Sequence, residues 1–419
     1  MESHHGDNRH VLAESGVWVV NAGTTSSPLA SLQKSLWRFS AVTFLPANYP
    51  RSVSEDYAPY QICNILQNFC SKITGLLGTQ STFKTFGVGD ATATAAAATI
   101  TTVLQDGSGM LGQILFTYGF GSHMDEHIKV WRYSADVFFD AAIFLDILAP
   151  NLPRKYFVFT ACCASVLRAI CGVTAGSTKS SIYQHFALEE NLGDIHAKEQ
   201  SQSTLINLIA MIFGTLIIRM AHEDAAWIWG LFIFFSVLHL VFNYIGVRSV
   251  VFSNLTADRM QIVIKSYLSS KGAEMMTPSQ VAPLESILTL PSIPVEMGIS
   301  LEHLATQARL QAPNESSDAK LLAELAAAWE GKKYMAARTP SGVAVALHDG
   351  CEVKDCIEAF FCGLAWVQLE LPDAVAARQY IQSHFEPFYQ SLATKWDVDR
   401  KLYFNDNGWR SRWKLTKKD

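Results

Sequence analysis

The 419 residues predict a mainly α fold: a multi-helix, membrane-associated bundle followed by a small C-terminal α+β domain. Hydrophobic residues make up 49% of the chain and charged ones only 17%, and the mean hydropathy is +0.14, a balance shifted toward membrane proteins. Residues 86–252 hold nearly all the long apolar runs, whereas the chain from about 253 onward has ordinary soluble composition. The strongest run, AAWIWGLFIFFSVLHLVFNYIGV from Ala225 to Val247, is 23 residues long, enough to cross a hydrocarbon core of roughly 30 Å with some tilt.

Residues 1–43 read as a loosely ordered lead, with Thr24, Thr25, Ser26, Ser27 and Pro28 as a turn-rich interruption. The opening MESHHGDNRHVLAESG carries acids and no early apolar core, so neither a secretory signal nor an Arg/Ser-rich transit segment is expected. Prolines Pro46, Pro50 and Pro59 mark an extended entry to a helix beginning near Tyr57, with Ile62, Ile65, Leu66, Phe69 and Ile73 at helical spacing and an exit at Gly75 and Gly78. Five later segments compete as membrane helices: Val88–Leu104, Ile128–Leu148, Tyr156–Val173, Leu205–Met220 and Ala225–Val247. The Ala/Thr-rich first of these and the Gly172/Gly176 pair suit close helix contact. The polar stretch 175–203 is expected to form two short helices broken around Asn191–Gly193, either an interfacial or re-entrant pair or a plain loop. Arg248, Arg259, Lys265 and Lys271 after the last span place the C-terminal part in the cytoplasm by the positive-inside rule.

A connector follows over 271–318, and 319–419 forms the α+β module, with helices over Ala319–Trp329, Val353–Gln368 and Ala374–Trp396. Lys333–Arg338 and Gly342–His348 read as a hairpin around Thr339-Pro340-Ser341. Eight cysteines lack zinc-ligand spacing and read as reduced packing residues, and the net charge of −5 offers no basic footprint for nucleic acid.

The segments YPRSVSEDYAPYQ, GLLGTQSTFKTFGVGDATATAAAA, LQDGSGMLGQILF, DEHIKVWRYSADVFFDAA and AGSTKSSIYQHFALEENLGDIHAKEQSQ occur in the order seen in the Root UVB Sensitive family, which this chain closely resembles. The resemblance is dense over residues 44–270 and looser over the tail, including Asn407-Gly408-Trp409. It implies membrane association and, from plant members, a link to ultraviolet-B-sensitive root growth, seedling development, auxin distribution and vitamin B6 homeostasis. It brings no established reaction or cofactor, and the N-terminus lacks the transit-like lead expected of plastid-located members.

Candidate functional residues centre on one stripe. Asp125, Lys129, Arg132, Asp136 and Asp140 fall within an arc of roughly 80° on a helix that is otherwise apolar. Internal pairs Asp125 with Lys129 and Arg132 with Asp136 would need no ligand, but a charge near a bilayer centre costs at least about 2.5–3.5 kcal/mol and is normally kept for a cavity or partner. Asp136 and Asp140 lie deepest. Ser236, His239 and Asn243 line one face of the strongest span, packing against a neighbouring helix or facing the two aspartates across a pathway. Asp106, with Gly107, Gly109 and Gly112, reads as a turn between membrane helices or, less favoured, an anion cradle; no Walker spacing is present. Lys179, His185, Asn191, Asp194 and Lys198 form a polar patch that faces substrate or solvent, and no second nitrogen ligand supports a metal site.

The expected function is transport or sensing of a small polar molecule through a seam of Arg132, Asp136, Asp140 and His239, in an intracellular, multi-pass membrane protein whose partners are lipid and a paralogue or second copy. The alternative is a non-catalytic membrane adaptor acting through oligomer formation. No nucleophile with a paired base, metal spacing or nucleotide motif marks an enzyme.

Overall fold

A computed structural model describes residues 2–5, 8–12, 18–20, 28–86, 95–221, 224–311, 318–398 and 407–414. The chain divides into two compact units, residues 1–54 with 187–205, and residues 55–186 with 206–419.

In the first unit, strands β1 (Glu2–His5), β2 (Asn8–Leu12) and β3 (Trp18–Val20) form an antiparallel sheet in that order, and helix α1 spans Pro28–Phe44. A loosely ordered lead is therefore the wrong description of residues 28–43. Ser27 followed by Pro28 is a helix-start signal, because proline at the first helical position loses no hydrogen bond. The last carbonyls of α1 have no partner within the helix, and side chains from the 187–205 segment supply one: Lys198 donates to the carbonyl of Val42 (2.7 Å) and Gln202 to that of Phe44. Asp194 accepts the N–H of Ala47 (2.7 Å).

The second unit begins with α2 (Tyr57–Thr85), α3 (Ala95–Phe120), α4 (Ile128–Leu148) and α5 (Phe157–Phe186). Helix α6 (Leu192–Ala221), which belongs to this unit from residue 206 on, and α7 (Ala225–Ser249) complete the series of long helices. Helix α4 packs against α2, α5 and α7, and α3 packs against α5. Three helical stretches among the described residues are long and apolar enough to cross a membrane, Arg154–Phe186, Leu192–Met220 and Ala225–Ser249. Helix α7 starts where Asp224 accepts the N–H of Ala226 (2.8 Å), as an N-cap should.

Several boundaries differ from expectation. Helix α2 runs through Gly75 and Gly78 to Thr85. The polar stretch is not a pair of short helices: the break lies at 187–191, and each half continues a neighbouring apolar run as one 30-residue helix. Asp106 and its glycines sit inside α3, not in a turn. Those glycines have a packing role instead. A Cβ on Gly109 would come within 2.8 Å of Ser165 Oγ, and one on Gly112 within 2.7 Å of Val166, so α3 approaches α5 at a distance only glycine allows. Gly172 and Gly176 make no such contact; nothing lies within 4 Å of a Cβ at either.

The C-terminal part contains α8 (Ala257–Ser269), the short α9 (Pro278–Val281), β4 (Val295–Met297), α10 (Leu301–Gln311) and α11 (Asp318–Ala328), then the hairpin β5 (Tyr334–Thr339) and β6 (Gly342–Leu347), then α12 (Val353–Gln368) and α13 (Ala374–Ala393). The stretch expected as a connector thus supplies strand β4 and helices α9 and α10. Strand β4 pairs in parallel with β6, and Val295 and Met297 belong to the same core as Trp329, Tyr334, Phe360, Phe361 and Phe388. Three residues are too few to show a strand's alternation among so many Pro, Ser and Thr. Trp329 donates its indole N–H to the carbonyl of Ala336 (2.9 Å), which satisfies that polar atom inside the core.

Candidate functional site

Over residues 60–67 helix α2 is inverted relative to a soluble amphipathic helix, whereas farther along Ile73 and Leu77 are buried in the ordinary way. Its polar stripe is buried, with Gln61 4%, Asn64 6% and Gln67 1% exposed, whereas Ile62 and Leu66 are 60% and 40% exposed. Water would drive the opposite arrangement, since burying an amide costs free energy unless it is hydrogen-bonded and burying an isoleucine gains it. For Gln67 the compensation comes from α4. With its amide oxygen turned toward Arg132, Gln67 accepts from the guanidinium (2.6 Å) and donates to Asp136 Oδ2 (3.1 Å), an orientation assigned from the surrounding donors and acceptors. The Tyr60 phenol lies beside the same guanidinium.

Helix α7 closes the other side. Arg132 donates to Asp136 Oδ1 (3.0 Å), His239 Nε2 lies 3.4 Å from Asp136 Oδ2, and His239 Nδ1 lies 3.0 Å from Asp140 Oδ2. Asn243 donates to the Arg132 carbonyl at 3.4 Å. An imidazole whose two nitrogens each face a carboxylate is arranged as an imidazolium, donating from both. Arg132 and His239 then carry two positive charges against those of Asp136 and Asp140, so the network is neutral only while His239 holds its second proton. One proton decides its net charge. The sequence places the α4 and α7 members on facing stripes; it does not reveal Tyr60, Asn64 and Gln67, although their spacing of three and four residues was a readable signal.

The other candidate residues lie elsewhere. Asp106 is on the exposed side of α3. Lys179 stands over the Tyr183 ring, 5.4 Å from its centroid. Asp194 and Lys198 belong to the first unit, where they hold the end of α1. The expected Asp125–Lys129 pair does not form, because Asp125 accepts from Ser181 (2.9 Å) and Lys129 turns to Glu285 (2.8 Å). His185 is paired with Asp56 (2.9 Å), which also accepts the N–H of Val251 (2.7 Å). The ring borders a polar cleft of about 550 Å³ shared with Ser177, Ser181 and Asn254.

Lys129 belongs to a second buried network. Glu285 receives Lys129 on one carboxylate oxygen and Arg259 on the other (2.9 Å), and Arg259 also donates to Asn254 and covers the Phe252 ring. Burial pushes the Glu285 carboxyl up, but Arg259 and then Lys129 pull it further down, to below the usual value. Neighbouring Asp258 has no such balance. Burial and then the Glu285 charge raise it to about 6 against the pull of Arg259. Its native state binds the proton more tightly than the unfolded chain does, so this contribution stabilises fully below about pH 4 and is lost as the pH rises through about 6. Asp258→Asn is therefore expected to raise stability at pH 7.5 by about 2 kcal/mol and to change it little at pH 4, measured by thermal unfolding at the two pH values.

A profile described as the vitamin B6 photo-protection and homoeostasis domain matches residues 30–271, a stretch that contains the whole Arg132–Asp136–Asp140–His239 network. The protein named root UVB sensitive 3 of Arabidopsis thaliana is 30% identical over 94% of this chain and 91% of its own length. The chain belongs to the Root UVB Sensitive family. The RUS family member 1 of Dictyostelium discoideum is 36% identical over 62% of this chain and 49% of its own length. Root UVB sensitive 2, chloroplastic, of Arabidopsis thaliana is 31% identical over 54% of this chain and 52% of its own. This Root UVB Sensitive chain thus spans about half the length of the last two relatives, and no solved structure matches it.

Proposed function

We propose that this Root UVB Sensitive protein is a non-catalytic, multi-pass membrane protein that moves or senses a small polar molecule, using the network of Arg132, Asp136, Asp140 and His239 as a proton-dependent element. The inverted first half of α2 carries the reading: a buried amide stripe beneath exposed Ile62 and Leu66 suits a helix whose outside meets lipid. The exposed apolar side chains of the three long candidate spans, among them Leu208, Ile212, Phe234 and Val237, support it. The vitamin B6 wording of the matching profile accords with a small polar solute. Removing the second proton of His239 would leave two carboxylates facing each other through a neutral ring, a charge change able to bias the packing of α4 against α7. Arg248, Lys265 and Lys271 favour a cytoplasmic C-terminal module, with Arg259 discounted because Glu285 neutralises it.

The adaptor reading retains one supporting observation, the exposed row Met110, Leu111, Ile114, Leu115 and Tyr118 on α3, which would suit a partner helix. The charged stripe does not serve it, being paired within its own chain.

The test is uptake of small polar solutes into vesicles containing the purified protein, at pH 7.5 and 9.5. Asp140→Asn keeps the side-chain shape and is expected to abolish both uptake and its pH dependence while the helical spectrum is retained. Uptake by the variant equal to that of the native chain at both pH values would make the network purely structural.

A further inference from the structure

A second cleft, of about 560 Å³, opens between α2, α4 and α5, and its wall includes Phe139, whose ring lies 6.0 Å from that of His239. Two cations border it. Arg168 is paired with Asp146 (2.6 Å), whereas Lys72, half-buried in the middle of α2, has no ion-pair partner among the described residues. The hydroxyl protons nearby are already used: Ser71 donates to the carbonyl of Asn68, Thr79 to that of Gly75 and Thr82 to that of Gly78. The donors left for a ligand are the ammonium of Lys72 and the remaining N–H groups of Arg168. With Asp146 as the only carboxylate among the described lining residues, those residues carry an excess of one positive charge.

We propose that this cleft binds a small organic anion, a carboxylate or phosphate monoester with an apolar body, whose charge meets Lys72 and Arg168. Its volume lies within the ordinary range of small-molecule sites and is far larger than a simple inorganic anion needs. Leu76, Phe83, Phe139 and Ile143 offer the body of such a ligand an apolar wall. The Lys72 ammonium has no counter-charge among the described lining residues beyond the Asp146 already paired with Arg168, so an anionic ligand supplies one and a cationic ligand is repelled. Phe139 separates the bound anion from His239, so the site stands beside the proton-dependent element without being part of it. The proposal rests on the transport or sensing reading and names its class of solute.

The probes are benzoate and phenyl phosphate, with benzylammonium as the cationic control, added to the purified full chain in a neutral detergent while the thermal midpoint is followed. The anions are expected to raise the midpoint saturably and benzylammonium not to. Lys72→Gln is expected to weaken the apparent binding constant about tenfold or more, the loss of one charge-assisted contact, while Lys72→Arg keeps it. Thr79→Asp, at an exposed position on the wall, is expected to abolish the shift without touching the core. A flat response to both anions, an equal response to benzylammonium, or an unchanged constant in Lys72→Gln or Thr79→Asp overturns the proposal. Asp140→Asn is expected to retain the benzoate shift, so failure of the seam in the uptake assay and failure of this site give different results.

Discussion

Asp136→Ala is expected to destabilise the protein by about 3–5 kcal/mol, because it strands Arg132 in a buried site and removes one of the two carboxylates that hold His239. The loss does not measure the worth of the ion pair itself, since two charges brought out of water pay much of their attraction back in desolvation. A double variant, Arg132→Met with Asp136→Leu, is expected to recover most of the lost stability although it restores no charge. Unfolding of Arg132→Met, Asp136→Leu and the double variant in detergent completes the cycle and isolates the coupling. A double variant as unstable as the sum of the singles would mean that the pair is not the coupled unit its geometry describes.

The second large effect is expected at Glu285. It is the common acceptor of Lys129, from the first turn of α4, and Arg259, from α8, so Glu285→Ala leaves two buried cations facing each other. Lys129 would retain the Ala282 carbonyl and Arg259 the Asn254 side chain, which satisfies donors without neutralising charge. The expected cost is again about 3–5 kcal/mol, with hydrogen exchange rising first around residues 254–285. Combining Glu285→Ala with Lys129→Met removes one of the stranded cations and should return part of the loss. A single variant as stable as the native chain would show that solvent reaches this network freely.

The parts of the fold that repeat a period over many residues were legible in the sequence. The 23-residue apolar run became α7 almost residue for residue, and Val353–Gln368 became α12. The meeting of His239 with Asp136 and Asp140 was also legible, because charge inside an apolar helix must find opposite charge and few helices offered it. What escaped depended on chain remote in sequence. Lys129 looked committed to Asp125 four residues away, but Glu285 lies 156 residues on and brings its carboxylate into a buried setting where attraction is less screened. Helix α2 was read from its aliphatic face, and in this protein the informative face is the other one. The glycines of α3 suggested a turn because flexibility and close approach call for the same residue; only the position of α5 separates the two.

The pairing of α4 with α7 also bears on how the chain is made. Helix α4 carries Lys129, Arg132, Asp136, Asp140 and Asp146, and His239 lies 99 residues beyond Asp140. A segment with that many charges has little tendency to leave the translocation machinery for lipid alone, each central charge opposing entry by about 2.5–3.5 kcal/mol. At roughly 5–20 residues per second, its partner emerges on the order of 5–20 s later. On the multi-pass reading proposed above, α4 is expected to wait in a sheltered place until α7 has been synthesised, so that its docking is a late event in biogenesis, set by a histidine not yet translated when the helix first appears.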